Sequence, residues 1–269
     1  MGLLGLILIA AGIAPRADAA TRDFYFTRLG SDRGLTQNTV TALAQDRQGF
    51  VWVGTQGGLH RYDGQRYVAF RHDPRDPGTL PGSFVTALAV EGDRALWIGT
   101  YSEYVARLDL RNGKIRRYSI TDGEHANRQV MAVLPSRGAL WVGTVAGLER
   151  LDAASGRRTL VVRLNPQTTR EAPWQNLLAA RDGTIWFASN AGLYRIAPNG
   201  SADRVGPAEP ARSLRQDHRG QLWIGRHDGL YRLHSDRRSL IRVWPGDDEA
   251  GAFDVRALAE APDGRLWLA

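Results

Sequence analysis

One hairpin is written again and again along this chain, and its spacing constrains the fold more than any other feature. It reads "GFVWVGTQGGLHRYDG" from Gly49, "GALWVGTVAGLERLD" from Gly138, "GTIWFASNAGLYRIA" from Gly183 and "GQLWIGRHDGLYRLH" from Gly220. Aligned on Trp, copies fall at Trp52, Trp97, Trp141, Trp186, Trp223 and Trp267, at intervals of 45, 44, 45, 37 and 44 residues. A period in the forties with strand-like content points to stacked sheet units, each too small to bury its own faces.

The copies share one grammar. An apolar strand opens each, as in "VTALAQD" from Val40, "VTALAVE" from Val85 and "VRALAEA" from Val255. A Gly turn follows, then the short Trp strand, then an "xxGL" turn into a third strand, then a fourth such as "RYVAF". Strands this short, bounded by Gly, Asp and Asn, make a four-stranded antiparallel blade. The Trp strand is apolar throughout instead of alternating, which suits a sheet covered on both faces by neighbouring blades. The fold class expected is all-β: a β-propeller of five complete four-stranded antiparallel blades plus part of a sixth, in an incomplete ring.

A residue that recurs at one place in every copy is a packing element before it is a site. Trp52, Trp97, Trp141, Trp186, Trp223 and Trp267 are expected to supply contact area between blades. The recurrent third-strand arginines, Arg61, Arg107, Arg150, Arg195 and Arg232, are expected to satisfy backbone or carboxylate acceptors between blades.

The formal net charge is +7, carried by Arg with a single Lys, Lys114, in 269 residues. These charges are spread along the chain with no basic run and no basic helix, so nucleic acid is not an expected partner. No Cys is present, so the fold needs no disulfide. The apolar run "GLLGLILIAAGIA" from Gly2, followed by Ala17-Asp18-Ala19, has the form of a signal peptide. This divides the chain into a signal peptide at 1–19 and a propeller domain at 20–269, and predicts export. "GRLWLA" stops two residues after Trp267, so the chain reads as a fragment whose last blade is cut short.

The pattern "D-x-x-G-x-x-W-[VI]-G-T-x-x-G-L-x-R-[YL]-D" resembles the two-component regulator propeller repeat. The first copy carries it on Asp46, Gly49, Trp52, Gly54, Thr55, Gly58, Leu59, Arg61 and Asp63. The leader from Phe24, "FYFTRLGSDRGLTQNTV", is similar to that family's approach to its first blade, with Phe24 to Leu29 as the candidate closing strand. The resemblance implies the periplasmic sensor region of a receptor whose histidine kinase or diguanylate cyclase lies beyond a membrane helix. It also implies a seven-bladed ring, a homodimer of the full-length receptor, membrane contact only through downstream segments, and a small ligand such as an oligosaccharide. No phosphoacceptor His box and no GGDEF motif occur in these residues, so the chain itself is expected not to be an enzyme.

Candidate ligand residues are sought where a copy departs from the others. In the second copy "TYSEYVAR" replaces the Gly-Leu turn and puts Tyr101, Glu103 and Tyr104 in a longer loop. In the fifth, Arg226, His227 and Asp228 stand where others have Thr and small residues, and the loop "NPQTTREAPWQN" presents Trp174. Aromatic faces beside charged donors and acceptors suit a sugar or a small anion. No catalytic residue, cofactor or metal is expected, because the His show no ligand spacing and no nucleophile elbow is present. The alternatives are an exported glycan- or protein-binding scaffold and, from the likeness of "RDGTIWFASNAGLYRI" to streptogramin-lyase-like propellers, a metal-dependent lyase needing two or more convergent His.

Overall fold

The computed structural model describes residues 29–102, 104–120, 129–165, 175–245 and 253–269. The signal peptide, the segment Phe24 to Arg28, Glu103 and Trp174 lie outside these residues. Five four-stranded antiparallel sheets follow one another, each paired in chain order. Blade 1 comprises β1 (Val40–Gln45), β2 (Val51–Thr55), β3 (Gly58–Tyr62) and β4 (Tyr67–Phe70). Blade 2 comprises β5 (Val85–Glu91), β6 (Ala95–Thr100), β7 (Tyr104–Asp109) and β8 (Ile115–Ser119). Blade 3 comprises β9 (Val130–Ser136), β10 (Ala139–Thr144), β11 (Gly147–Leu151) and β12 (Arg158–Arg163). Blade 4 comprises β13 (Asn176–Ala179), β14 (Ile185–Ser189), β15 (Gly192–Ile196) and β16 (Ala202–Val205). Blade 5 comprises β17 (Ala211–Gln216), β18 (Leu222–Arg226), β19 (Gly229–Leu233) and β20 (Leu240–Trp244). A sixth sheet pairs β21 (Leu258–Glu260) with β22 (Leu266–Leu268). The first strands of successive blades lie side by side, β1 by β5, β5 by β9, β9 by β13, β13 by β17 and β17 by β21, which is the propeller arrangement expected. The short 37-residue interval has a simple cause, since only 206–210 separate β16 from β17.

Blades interlock through one repeated contact. The Gly two residues after Trp leaves space that the first residue of the next blade fills. A Cβ on Gly54 would stand 2.6 Å from Val85 Cγ1, and one on Gly99 would stand 2.7 Å from Val130 Cγ1. Beside this contact the first strands of blades 1 and 2 bulge by one residue, between Val40 and Ala42 and between Val85 and Ala87. The extra residue reaches across: Thr41 Oγ1 donates to Val85 O at 2.5 Å and Thr86 Oγ1 to Val130 O at 2.6 Å.

Two further ties hold each blade together. Asp46 accepts from Gln48 N and Phe50 N with Oδ1 and from Trp52 Nε1 at 2.8 Å with Oδ2. Asp217 repeats this on Arg219 N, Gln221 N and Trp223 Nε1, and Glu91 takes Trp97 Nε1 at 3.0 Å. The carboxylate thus caps its turn and fixes the indole that fills the gap to the next blade. At the other end of the Trp strand the buried Thr55, Thr144 and Ser189 hydroxyls donate to the carbonyls of Gly58, Gly147 and Gly192 at 3.0–3.2 Å.

Three of the recurrent arginines have partners inside their own blades, where contacts between blades were expected. In register each faces its own Trp across the sheet, as Trp52 opposes Arg61 and Trp97 opposes Arg107. Arg61 lies 4.6 Å over the Phe50 ring and Arg107 lies 5.7 Å over Trp97 while bonding Glu91 at 3.3 Å. Arg195 pairs with Asp203 of its own blade at 3.1 Å. Arg61, Arg107 and Arg195 thus stack or pair within their own blades, because residues opposite one another in a sheet share a face. Trp267 also departs from its siblings: it is 50% exposed, whereas Trp52 and Trp97 are buried.

The leader folds back on blade 1. Thr36 N donates to His60 Nε2 at 3.1 Å, Thr36 Oγ1 donates to Gly57 O, and Leu35 is buried. Because Nε2 accepts, the imidazole proton sits on Nδ1, and burial, with Arg71 nearby, holds the His60 pKa below its ordinary 6.5.

Gly54→Ala should cost about 1–3 kcal/mol by overpacking against Val85. Adding Val85→Ala should recover part of that loss, so urea midpoints of the two singles and the double should be non-additive. His60 makes the leader pH-sensitive. The unfolded imidazole takes up a proton below about pH 6.5 while the folded one resists, so this contribution to stability is full above 6.5 and falls with pH. His60→Gln should flatten the loss of stability between pH 7 and pH 5 in matched urea titrations.

Candidate functional site

The face formed by second-to-third strand turns and by the loops between blades carries the departures from the repeat. Where the pattern holds, the turn ends on Gly, as at Gly58 with φ +135°, where a Cβ would press on Phe70 O at 2.8 Å. Blade 2 inserts one residue, and Tyr104 stands where the others have that Gly. Thr100 keeps its duty, donating to Tyr104 O at 3.2 Å and meeting Ser102 Oγ at 2.7 Å. The longer turn therefore presents Tyr101, 50% exposed, and Tyr104, 40% exposed, on a hydrogen-bonded base. Tyr101 N donates to Phe84 O at 2.9 Å and the two rings stack at 5.3 Å with 18° between their planes. Phe84 belongs to the loop from blade 1 and was not among the sequence candidates; its place just before β5 is the signal that could have found it.

Blade 5 builds a charged cluster. Arg226 occupies the buried Thr position at the end of β18 and is 3% exposed, so it does not project from the loop as a surface ligand would. It forms an ion pair with Glu209, lies 3.5 Å from Asp228 and sits 4.7 Å over the Tyr231 ring. Tyr231 OH donates to Asp228 Oδ2 at 2.7 Å, and Arg242 Nη2 donates to Asp228 O at 3.0 Å. Burial alone would raise the Asp228 pKa, but the Tyr231 hydroxyl and Arg226 outweigh it and hold the carboxyl below its usual range. Tyr231 moves up, through burial and its bond to Asp228. His227 is half exposed, with Nδ1 3.9 Å from Asp228 Oδ1. A second charged group lies where blade 6 meets blade 5: Asp254 accepts from Arg256 Nε at 2.7 Å and from Arg212 Nη1. Sequence reasoning named Arg226, His227 and Asp228 but missed Glu209, Tyr231 and Arg242, whose positions in the repeat look ordinary. The blade 2 and blade 5 groups stand on separate blades and do not form one cluster.

The opposite, turn-bearing end holds a cavity of about 930 Å³ between blades 4 and 5, lined by Trp186, Asp217, Trp223, Arg232 and Arg237 among others. Of the sequence candidates for ligand binding, the described ones (Tyr101, Tyr104, Arg226, His227 and Asp228) do not line it. Among the described residues no group of three or more His, Asp or Glu is placed to hold a metal ion. The described His are dispersed: His72 bonds Leu80 O, His218 bonds Glu260, and His234 pairs with Asp236. No described helix is long and apolar enough to cross a membrane.

A run of Trp-centred, four-stranded blades paired in chain order is a β-propeller in form. The profile for the two component regulator propeller matches residues 34–57, and the chain carries that repeat, as the blade 1 motif implied. Over 80 residues the chain is 31% identical to "Histidine kinase P4" of Formosa agariphila, an overlap of 30% of this chain and 6% of that protein. Among solved structures it is similar to the extracellular domain described for the hybrid two component system BT3049 of B. thetaiotaomicron. That likeness has a TM-score of 0.72 at 24% identity and covers 90% of this chain and 34% of the other. The extracellular domain of BT4673 from the same organism gives 0.57 at 19% identity, covering 86% of this chain and 37% of that one. A catalytically inactive virginiamycin B lyase from Staphylococcus aureus gives 0.66 at 14% identity over 86% of this chain and 77% of that one. The structural likenesses establish the propeller fold. The chain spans about a third of the length of the two extracellular domains and far less of the kinase.

Arg226→Ala should destabilise by about 1–3 kcal/mol, because it empties a buried position and leaves the partly exposed Asp228 and the half-exposed Glu209 without their cation. Arg226→Ala with Glu209→Gln and Asp228→Asn should recover part of that, read from urea midpoints at pH 7.

Proposed function

We propose that this chain is the extracytoplasmic, ligand-sensing propeller of a bacterial two-component or diguanylate cyclase receptor, exported by residues 1–19 and itself without catalytic activity. The observation that carries the reading is the regulator-propeller match over residues 34–57, the approach to blade 1 and its first two strands, extended to the other blades by internal repetition. The likeness to extracellular domains of two-component receptors supports it, as does the identity to a histidine kinase. The ligand is a small polar molecule of the oligosaccharide class, held on the loop face with Tyr101 and Tyr104 as stacking surfaces. Exposed aromatic rings on a hydrogen-bonded base give sugar rings an apolar face to cover at little cost in ordering.

The second reading is a lyase of the virginiamycin type, favoured by the fold likeness to that enzyme. It requires His to converge, and those described occupy separate blades, loops and turns. The third, a free exported scaffold, differs from the first only in what the propeller is joined to.

Titration calorimetry against a panel of neutral and uronic-acid oligosaccharides should give a binder. Tyr101→Ala should weaken it about tenfold, the loss of one stacking contact, with little change in unfolding midpoint because the ring is half exposed. Unchanged affinity in both Tyr101→Ala and Tyr104→Ala would remove the loop face from consideration. A blot of source-cell fractions separates receptor from scaffold: the receptor gives a membrane-bound band much larger than 29.7 kDa.

A further inference from the structure

The hairpin that opens blade 3 is one residue tighter than its siblings. Trp52, Trp97 and Trp223 stand opposite Ala44, Ala89 and Arg215, eight residues back, whereas Trp141 stands opposite Leu134, seven back. Two residues beyond that partner come Asp46, Glu91 and Asp217 in blades 1, 2 and 5, the acids that take the indole N–H. Six residues back from Trp141 is Pro135, but by register the acid's place belongs to Ser136, which pairs with Ala139. Between these two, Arg137 and Gly138 have φ +51° and +74°, a two-residue turn with both central residues left-handed in place of the acid-capped one.

Blade 2 shows what the missing acid does. Glu91 Oε2 accepts from Trp97 Nε1 at 3.0 Å and from Arg107 Nε at 3.3 Å, one oxygen holding both members of a cross-strand pair. Blade 3 keeps the pair, Trp141 opposite Arg150, and lacks the oxygen. Among the described residues neither the Trp141 indole N–H nor the Arg150 guanidinium has a hydrogen bond or ion pair, and the same holds for the Arg137 guanidinium. The acids of the flanking turns are engaged. Asp152 accepts from Ala154 N and Ser155 N at 3.0 and 2.8 Å, and Asp182 pairs with Arg237 at 2.8 Å.

The unmatched donors meet at a cleft of about 400 Å³ between blades 3 and 4, at the turn-bearing end and away from the loop face. Ser136, Arg137, Trp141 and Arg150 line its blade 3 side, Ile185 and Asn199 its blade 4 side, and no Asp or Glu is among its lining residues. Arg137 reaches across to blade 4, into the space that a side chain on Gly183 would take. Asn199 commits its Oδ1 to Ser201 N and Oγ, so its amide has only donors to offer. Two positive charges, an indole N–H and a hydroxyl thus surround a cleft without a counter-charge.

We propose that this cleft binds the carboxylate group of a small organic acid, which takes the place that Glu91 Oε2 fills in blade 2. It accepts from Trp141 Nε1 and from Arg150, and Arg137 closes over it. A planar carboxylate matches the guanidinium fork, and the Trp141 ring with Ile185 covers the carbon skeleton of the acid. The cleft lies near the lower bound for ligand pockets, which suits a small acid.

In isotope-labelled protein the indole N–H resonance of Trp141 is identified by its loss in Trp141→Phe. Benzoate and succinate should move that resonance saturably, and benzamide should not. Arg150→Gln should weaken both acids about tenfold, the loss of one charged hydrogen bond. Its urea midpoint should change little, because the Arg150 side chain is exposed. Ser136→Glu returns the carboxylate to the chain. It should abolish the titration, shift the indole resonance toward its bound position and raise the urea midpoint. The proposal is overturned by no saturable movement with either acid, by equal movement with benzamide, or by inorganic phosphate binding more tightly than both acids. Titrations left unchanged by Arg150→Gln and Ser136→Glu overturn it equally, since the acid would then bind elsewhere.

Discussion

The seating of an opening Val on the Gly of the preceding Trp strand, at Gly54, Gly99 and Gly225, sets the close approach of the blades on which the rest depends. Sheets packed face to face ordinarily stand about 10 Å apart, a gap that side chains must fill without voids. Here the inner end of the gap is closed by removing a side chain, so the first strands approach closely enough for Thr41 and Thr86 to bond the next blade's backbone. The outer part is filled by the Trp, whose larger area suits the widening wedge between diverging sheets. Gly near the axis and Trp farther out are the two ends of one taper.

That taper requires the Trp to stay put, and the buried polar ties serve this need. An indole N–H facing an apolar sheet would lose its water without compensation. In blades 1, 2 and 5 a carboxylate six residues ahead receives it, and in blades 1 and 5 the same carboxylate also closes the turn. Blades 3 and 4 have Pro135 and Ala180 at that position and keep their Trp buried without the tie. The tie is thus an aid to packing and not a condition of it, which is why the Trp recurs more faithfully than the acid.

The same physics explains what could be read from sequence. Blade number, strand order and the structural role of the Trp were legible, because each depends on a residue whose size or backbone freedom no other supplies. The partner of the recurrent Arg was not, since an Arg can stack, pair or bond a carbonyl with little difference in pattern. Its register opposite Trp decides the matter, and register appears only once strands are paired. Arg226 looked like a loop residue because it replaces a Thr next to a turn. In fact the Thr position is buried in blades 1 to 5, so a replacement there inherits burial and a charged one must bring counter-charges, here Glu209 and Asp228. The rule for that position was already available in Thr55, Thr100, Thr144 and Ser189.

Where variation falls is then a consequence of where the taper leaves freedom. The turn-bearing ends are tied by Asp caps, and the blade faces by the seat and the Trp. The second-to-third turn is constrained only by its first hydroxyl, which bonds whichever carbonyl stands at the start of the third strand. Thr100 shows this: its bond survives an inserted residue and the exchange of Gly for Tyr. Aromatic and charged groups can therefore be added on that face without disturbing blade packing, which is the property a recognition surface on a repeat scaffold needs. Tyr101 and Tyr104 use this freedom at the surface, whereas Arg226 spends it inward and gains only a local charge network.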